Sequence, residues 1–501
     1  MRSLDLTDVE QVARITEAAW SIQRFAETYL PHHLIDETTG EHVPFGPHHL
    51  ELFDLVEDEE IGKHILRAEP REHGKSTVMD LIVVLWWLAT KRKHFITLVA
   101  DTSSQAEGQL HSVIEEIEDN DLLLQDFPHL QPALDRKRQY VKWTDREIVN
   151  EAGQVVAAVG AGKSIRGLKR RQYRPDAIII DDLENDENVA TKGQRDKLEK
   201  WLLSTLLSLG GKGCDFYYIG TILHHDSVMM RVVKTEKANR EFGEPPVWNT
   251  KIMPAEDEKG NPLWPEMWPR ERLDARRRVI GSIVYAQEFL NDPSQREGKL
   301  FKEEWFMWYP LGKRPDGLDE YMGIDPSAGE KEQSDYIGIA QVGLDSQGRF
   351  FPGRIIETKI TFKQMVDTLI AMGEHIGPVK IAVETNFFQK VLKQEVDRRN
   401  REERRYLPFS EQQTIRDKVT RFLSLSALVE AGLLWLEENN PEHSKLVDQM
   451  LEFPDGAHDD LIDAFDFAVQ AARHPVAGHF TDTKKEGGKK PVTAGMRSAR
   501  F

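Results

Sequence analysis

Two stretches of the chain have the residue types of a phosphate-gripping loop: Gly74-Lys75-Ser76-Thr77 in "HILRAEPREHGKSTVMD" and Gly160-Ala161-Gly162-Lys163-Ser164 in "VVAAVGAGKSIRG". Such a loop needs a strand before it, inward-turned amides, a Lys for the β- and γ-phosphates, and a helix after it whose N-terminus adds its dipole. The first stretch has "HIL" as its strand and "VMDLIVVLWWLA" as a buried helix behind it, although Glu69 stands where the full pattern has its first Gly. The second has the better glycines, but a basic segment with no apolar face follows and ends at Pro175. The first is therefore expected to hold the phosphates.

Carboxylates complete the chemistry. "AIIIDDLE" reads as a buried central strand ending at Asp181, placed to hold the water shell of Mg²⁺. Its neighbours Asp182 and Glu184 are alternatives for the group that orients an attacking water. "CDFYYIGTIL" ends in Gly220-Thr221, a small polar tip suited to sensing the γ-phosphate. A second set lies further on. Asp325 ends "YMGID", Glu384 ends "KIAVE", and Asp459 and Asp460 open a helix after "PDGAH". Acids converging in this way repel one another unless cations sit among them. Two Mg²⁺ or Mn²⁺ ions about 3.5–4 Å apart would relieve the repulsion and support phosphodiester hydrolysis.

The elements that must position these residues follow from periodicity. Residues 1–45 read as helices, and alternating strands and helices from His64 to about Thr221 imply a parallel α/β sheet in a domain spanning 46–240. Residues 241–316 are rich in Pro and Trp and read as a linker or subdomain. A second alternating region, 317–475, opens with three strand-like runs. The tail 476–501 is polar, rich in Gly and Lys, and expected to be disordered.

Composition sets limits on the reading. A net charge of −18 argues against a general nucleic-acid coat but allows a local basic groove, such as "KSIRGLKRRQYR" or "ARRR". Cys214 is the single cysteine, which excludes disulfides and fits a reducing cytoplasm. No apolar run reaches the roughly 18 residues of a membrane span, and the opening residues lack a signal peptide's apolar core. The pairs His32-His33, His48-His49 and His224-His225 read as surface or core histidines rather than metal ligands.

The order strand-Asp, three-strand meander, strand-Glu, helix-Asp resembles the ribonuclease H-like nuclease fold. Preceded by a phosphate-loop ATPase, it resembles the large terminase subunit of tailed bacteriophages over residues 45–475. "REHGKST" is similar to that family's variant loop, with Arg71 three residues before the Gly. "IIIDDLE" is similar to its acidic strand, "YIGTILHHDS" to its coupling segment, and "YAQEFLNDP" to a phrase common just before the nuclease.

The resemblance implies an ASCE-type P-loop ATPase domain with a parallel sheet, followed by a ribonuclease H-like mixed-sheet nuclease domain. It implies ATP with Mg²⁺ at Arg71, Gly74, Lys75, Ser76, Thr77, Asp181, Gly220 and Thr221. Two Mg²⁺ or Mn²⁺ ions would sit at Asp325, Glu384, Asp459 and Asp460. It also implies that Arg166 in "SIRG" reaches a neighbouring subunit's nucleotide; a surface arginine and a direct DNA contact are the alternatives. The expected partners are double-stranded DNA, a portal protein, a small terminase subunit and further copies in a ring on the portal, assembled from monomers in the host bacterial cytoplasm. A ribonuclease H-like transposase or integrase, and a docking protein with a degenerate loop, are the competing readings.

Overall fold

The computed structural model describes residues 6–163, 168–170, 172–294, 299–325, 337–384, 387–403, 407–412, 418–454 and 459–473. Arg166 and the tail 476–501 lie outside the described residues. The chain divides into two compact units: Met1–Leu300 with Leu423–Ala431, and Phe301–Phe422 with Gly432–Phe501.

The first unit is built on eight strands: β1 (His64–Ala68), β2 (Phe95–Ala100), β3 (Trp143–Thr144), β4 (Glu147–Val149), β5 (Val155–Gly160), β6 (Ala177–Asp181), β7 (Asp215–Gly220) and β8 (Asn249–Ile252). Their order is β3-β4-β5-β2-β6-β7-β1-β8. Across the sheet from β5 to β8 every neighbouring pair is parallel, and β3 and β4 add an antiparallel edge. β2, β6 and β7 are buried at every position, as expected of apolar strands covered on both faces.

The N-terminal helices Leu6–Trp20 and Ile22–Tyr29 join the same core. Ala18, Ile22, Phe25 and Tyr29 pack in one cluster with Trp86, Trp87, Ile96 and Ile219. The Pro- and Trp-rich stretch also contributes: β8 pairs in register with β1, and the helix Arg270–Leu290 belongs to this unit.

The second unit carries β9 (Met307–Tyr309), β10 (Asp319–Asp325), β11 (Ile337–Leu344), β12 (Phe350–Thr358), β13 (Lys380–Glu384), β14 (Phe409–Gln412) and β15 (Trp435–Glu437). The main sheet runs β12-β11-β10-β13-β14, and β9 pairs with β15. β10, β11 and β12 form an antiparallel meander, whereas β13 and β14 join parallel to β10, so the sheet is mixed.

Alternation along β10 separates its two faces. Met322 and Ile324 pack with Met365 and Leu369 of the helix Phe362–Ile376. Gly323, between them, meets the helix Asp460–Arg473: a Cβ there would stand 2.0 Å from the Ala464 carbonyl oxygen. Gly323→Ala is expected to force the helix off the sheet and lower stability by about 1–3 kcal/mol, measured as a fall in the denaturant midpoint.

Candidate active sites

In the first unit, β1 ends at Ala68 and the chain turns through Glu72 (φ 62°) and Gly74 (φ 79°) into a wide π-type helical segment, Thr77–Val83, continued by Val84–Thr90. The positive φ at Gly74 is one reason for glycine there. The other is space, since a Cβ would lie 3.1 Å from His49 Nε2. Nε2–H of His49 donates to the His73 carbonyl at 2.7 Å, and that of His48 donates to the same oxygen at 3.2 Å. Burial lowers His48 to about 4, drives His49 well below its ordinary value and takes His73 to about 3, so all three rings are neutral props under the loop. The reading of His48-His49 as core histidines holds.

Lys75 is buried at 5% exposure; its Nζ lies 3.3 Å from Thr221 Oγ1 and 3.6 Å from Asp182 Oδ1. Ser76 Oγ donates to Asp181 Oδ2 at 2.5 Å, and Gln109 Nε2 donates to the same atom at 3.3 Å. Burial, then the neighbouring Asp182 charge, raises Asp181, and its Oδ1 is buried without a hydrogen-bond partner. Asp80 is raised well above the carboxylate range by burial and by Asp181. Thr221 Oγ1 donates to the Glu69 carbonyl at 3.1 Å, so the tip of β7 is tied to the loop. The loop residues, the acidic strand and Thr221 thus meet at the carboxyl ends of β1, β6 and β7.

Asp182 and Glu184 separate clearly. Glu184 accepts from the backbone N–H groups of Val228 at 2.6 Å and Met229 at 3.1 Å, and from the Tyr218 hydroxyl at 3.2 Å. Both its oxygens are used to satisfy the start of the helix Val228–Glu241. Asp182, at φ 42°, is the one beside Lys75. Arg71, placed by resemblance at the nucleotide, is half-exposed and pairs with Glu288 at 2.9 Å.

Several site residues were not anticipated. Glu69, whose identity broke the loop pattern, is fully buried with both carboxylate oxygens unpartnered, and burial raises it to about 8. It is therefore neutral at pH 7 and presents no anion to a phosphate. Between pH 4.5 and 8 the fold holds a proton on Glu69 that the unfolded chain has lost, so stability falls as pH rises through that window. The denaturant midpoint of Glu69→Gln is expected to fall less from about pH 5 to about pH 8 than that of the wild type. The "YAQEFLNDP" stretch is a second addition. The Glu288 carbonyl accepts from Arg71 N–H at 2.8 Å, and Asn291 Oδ1 accepts from Ile222 N–H at 2.8 Å, so this helix end holds both the loop and the β7 tip.

The second glycine-rich loop is different. β5 ends at Gly160, where a Cβ would lie 2.4 Å from Ser103 N, and Gly162 turns at φ 71°. No helix follows it among the described residues up to Ala177. The basic run at 276–278 is partly engaged within its own unit, with Arg276 paired to Glu72 at 2.5 Å and Arg277 over the Tyr285 ring at 4.7 Å.

In the second unit, β10 and β13 pair in parallel up to Ile324↔Val383, so Asp325 and Glu384 are the next residues on adjacent strand ends. Asp325 is the register partner of Gly338 on β11, and a Cβ at Gly338 would lie 2.3 Å from the Asp460 carbonyl oxygen. Backbone geometry therefore brings positions 325, 384 and 460 together at the carboxyl ends of the interior strands β10 and β13. Asp459 differs in its partner: Lys418 Nζ lies 2.5 Å from it and 2.6 Å from Asp463. Arg421 pairs with Asp463 at 2.5 Å and Asp466 at 3.0 Å. Burial raises Asp463 and takes Asp466 to about 7 against the pull of Arg421. The signal for this cluster was present in "DDLIDAFDF", where acids recur every three residues on one face of an apolar helix.

Residues 322–472 match the family described as terminase RNaseH-like domain. No curated protein matches the chain. Among solved structures, the large terminase of a thermophilic bacteriophage is similar at 12% identity and a TM-score of 0.51, covering 85% of this chain and 99% of that one. The same phage protein in complex with ADP aligns at 11% identity and a TM-score of 0.50, with the same coverage. Residues 322–472 thus match the terminase RNaseH-like domain model, and over the 85% of the chain that aligns the fold is similar to that of a large terminase.

Proposed function

We propose that the chain is the large subunit of a viral DNA-packaging terminase: ATP hydrolysis in the first unit drives double-stranded DNA into a procapsid, and a metal-dependent nuclease in the second cuts the concatemer. The observation that carries this reading is the meeting of Lys75, Ser76, Asp181 and Thr221 at the carboxyl ends of three parallel strands, in one chain with a terminase RNaseH-like domain.

Lys75 would leave Thr221 and Asp182 for the β- and γ-phosphates, with the loop amides and the helix start cradling the rest. Ser76 and Asp181 suit Mg²⁺: a hydroxyl and a carboxylate already share a hydrogen bond, and the free buried oxygen on Asp181 has no protein partner. When bound, the ion would neutralise phosphate charge. Asp182 would orient the attacking water, and Thr221 would report the γ-phosphate to the strand tip. At the second site, Asp325, Glu384 and Asp460 offer hard oxygen ligands suited to Mg²⁺ or Mn²⁺, with Asp459 as a further ligand once released by Lys418. Metal ions held by these residues would supply an activated water and stabilisation of the leaving oxygen. Contacts to the DNA backbone would make binding salt-dependent and indifferent to sequence. A portal, a small DNA-recognition subunit and a ring of copies in the host cytoplasm complete the motor.

The test is ATP hydrolysis stimulated by double-stranded DNA, together with Mn²⁺-dependent cutting of plasmid, in one purified chain. Absence of either activity from the wild-type protein ends the reading. A finer prediction divides the two acids after β6. Asp182→Asn is expected to lose ATP hydrolysis with the unfolding midpoint nearly unchanged. Glu184→Ala leaves two buried amides unpaired and is expected to cost about 1–3 kcal/mol each in stability, read by denaturant titration.

A further inference from the structure

Two histidines and a glutamate converge in the first unit, outside the nucleotide site. Pro31–His33 forms one 3-10 turn after the helix Ile22–Tyr29, and Glu116 lies in the last turns of the helix Ser103–Asp119. Nε2 of His32 and Nε2 of His33 stand 2.6 Å and 2.8 Å from the same atom, Glu116 Oε1. The two rings are 4.4 Å apart, and the three donor atoms all lie within 4.8 Å of one another.

The carboxylate is held from behind. Its other oxygen accepts from Asn120 Nδ2 at 3.1 Å; that amide also donates to the Tyr29 carbonyl at 2.7 Å, while Asn120 Oδ1 accepts from Leu123 N–H at 3.0 Å. Glu116 is thus fixed in direction, with 12% of its side chain exposed, while His32 and His33 remain reachable from solvent at 51% and 30%. Fixed ligands with a supporting hydrogen-bond shell are what a metal site requires.

We propose that His32, His33 and Glu116 form a binding site for a zinc-class divalent cation. Two imidazole nitrogens and one carboxylate oxygen are a ligand set for zinc at about 2.0–2.2 Å, leaving a fourth position for water. The same set is unsuited to Mg²⁺, which demands near-octahedral oxygen ligands. On binding, the cation takes the place of the protons between each Nε2 and Glu116 Oε1, and each neutral ring carries its proton on Nδ1. The bound ion would clip the N-terminal helices to the helix that follows β2.

The test is titration of the full chain with Zn²⁺, and with Co²⁺ as a spectroscopic probe, in millimolar Mg²⁺. One equivalent is expected to bind with four-coordinate Co²⁺ absorption. His33→Gln, which keeps a hydrogen-bond donor for Glu116, is expected to weaken it at least tenfold, as is Glu116→Ala. Asn120→Ala is expected to weaken it by about tenfold. Asp325→Ala is expected to leave this equivalent in place, which tells it apart from any zinc held by the nuclease acids. Zinc should raise the thermal midpoint of the wild type and not that of His33→Gln. The proposal is overturned if the wild type binds only an Asp325-dependent equivalent, or if His33→Gln and Glu116→Ala bind as tightly as wild type. The cluster is then a hydrogen-bonded ion pair alone.

Discussion

Lys75→Ala is expected to lower ATP hydrolysis by about 10²–10³-fold, the scale on which a preorganised charge-stabilising group contributes, while Mn²⁺-dependent DNA cleavage continues. The ammonium is held among the acids of this site, with Asp182 Oδ1 at 3.6 Å; Asp181 raises the proton affinity of buried Asp80, Asp182 raises that of Asp181, and the Lys75 charge lowers both. Alanine removes the counter-charge to those acids and, on the proposed reading, the phosphate ligand. Two defects should therefore appear together: lost turnover, and a lower midpoint of unfolding. Lys75→Arg separates them, because it keeps the charge while its planar fork fits a point-charge site poorly. Phosphate release by both variants, beside plasmid cutting by the same preparations, decides the matter. Full ATP turnover in Lys75→Ala would mean that the phosphates are held elsewhere.

Asp325→Ala should have the reverse profile, with DNA cleavage down by about 10²-fold or more and ATP hydrolysis retained. The size follows from the several kcal/mol that a catalytic metal contributes to transition-state charge, at about 1.36 kcal/mol per decade. Position 325 is central because its strand is the hinge of the arrangement: β10 pairs with β13 on one side and β11 on the other, and the helix bearing Asp460 lies against both β10 and β11. Asp459 is the softer target. Its side chain is paired with Lys418, so as a ligand it must first leave that ammonium, and Asp459→Ala should reduce cleavage while leaving residual cutting. Plasmid relaxation across a Mn²⁺ titration measures both. Undiminished cutting by Asp325→Ala would place the nuclease site elsewhere.

What the sequence made legible was local. The isoleucine run of "AIIID" marked β6, and acids placed at strand ends are visible because a strand's end is written in the few residues around it. The difference between the two Gly-Lys-Ser loops was legible for the same reason: an apolar helix follows the first, and a basic segment follows the second. What stayed hidden depends on distant partners. Glu184 stands two residues from Asp182, and nothing nearby announces that its partners are Val228 and Met229. Lys418 and Arg421 find Asp463 only through the fold. The Pro- and Trp-rich stretch reads as a linker or subdomain on its composition, and β8 within it is four residues long and largely exposed. Its place in the sheet comes from pairing with β1 rather than from its own pattern. Glu69 reads in the sequence as a departure from the loop pattern, and only its burial shows a carboxyl raised to about 8.

The close contact of glycine with helix backbone at positions 323 and 338 has a consequence for genetics. Neither residue has a functional group, yet each fixes how near the acid-bearing helix comes to the strand ends, to within the thickness of a methyl group. A blind search for cleavage-deficient variants that still hydrolyse ATP should therefore return substitutions at these two glycines beside those at Asp325 and Asp460. Such alleles would leave every ligand unchanged and damage only the spacing, because what meets a new methyl group at Gly323 is the helix backbone itself.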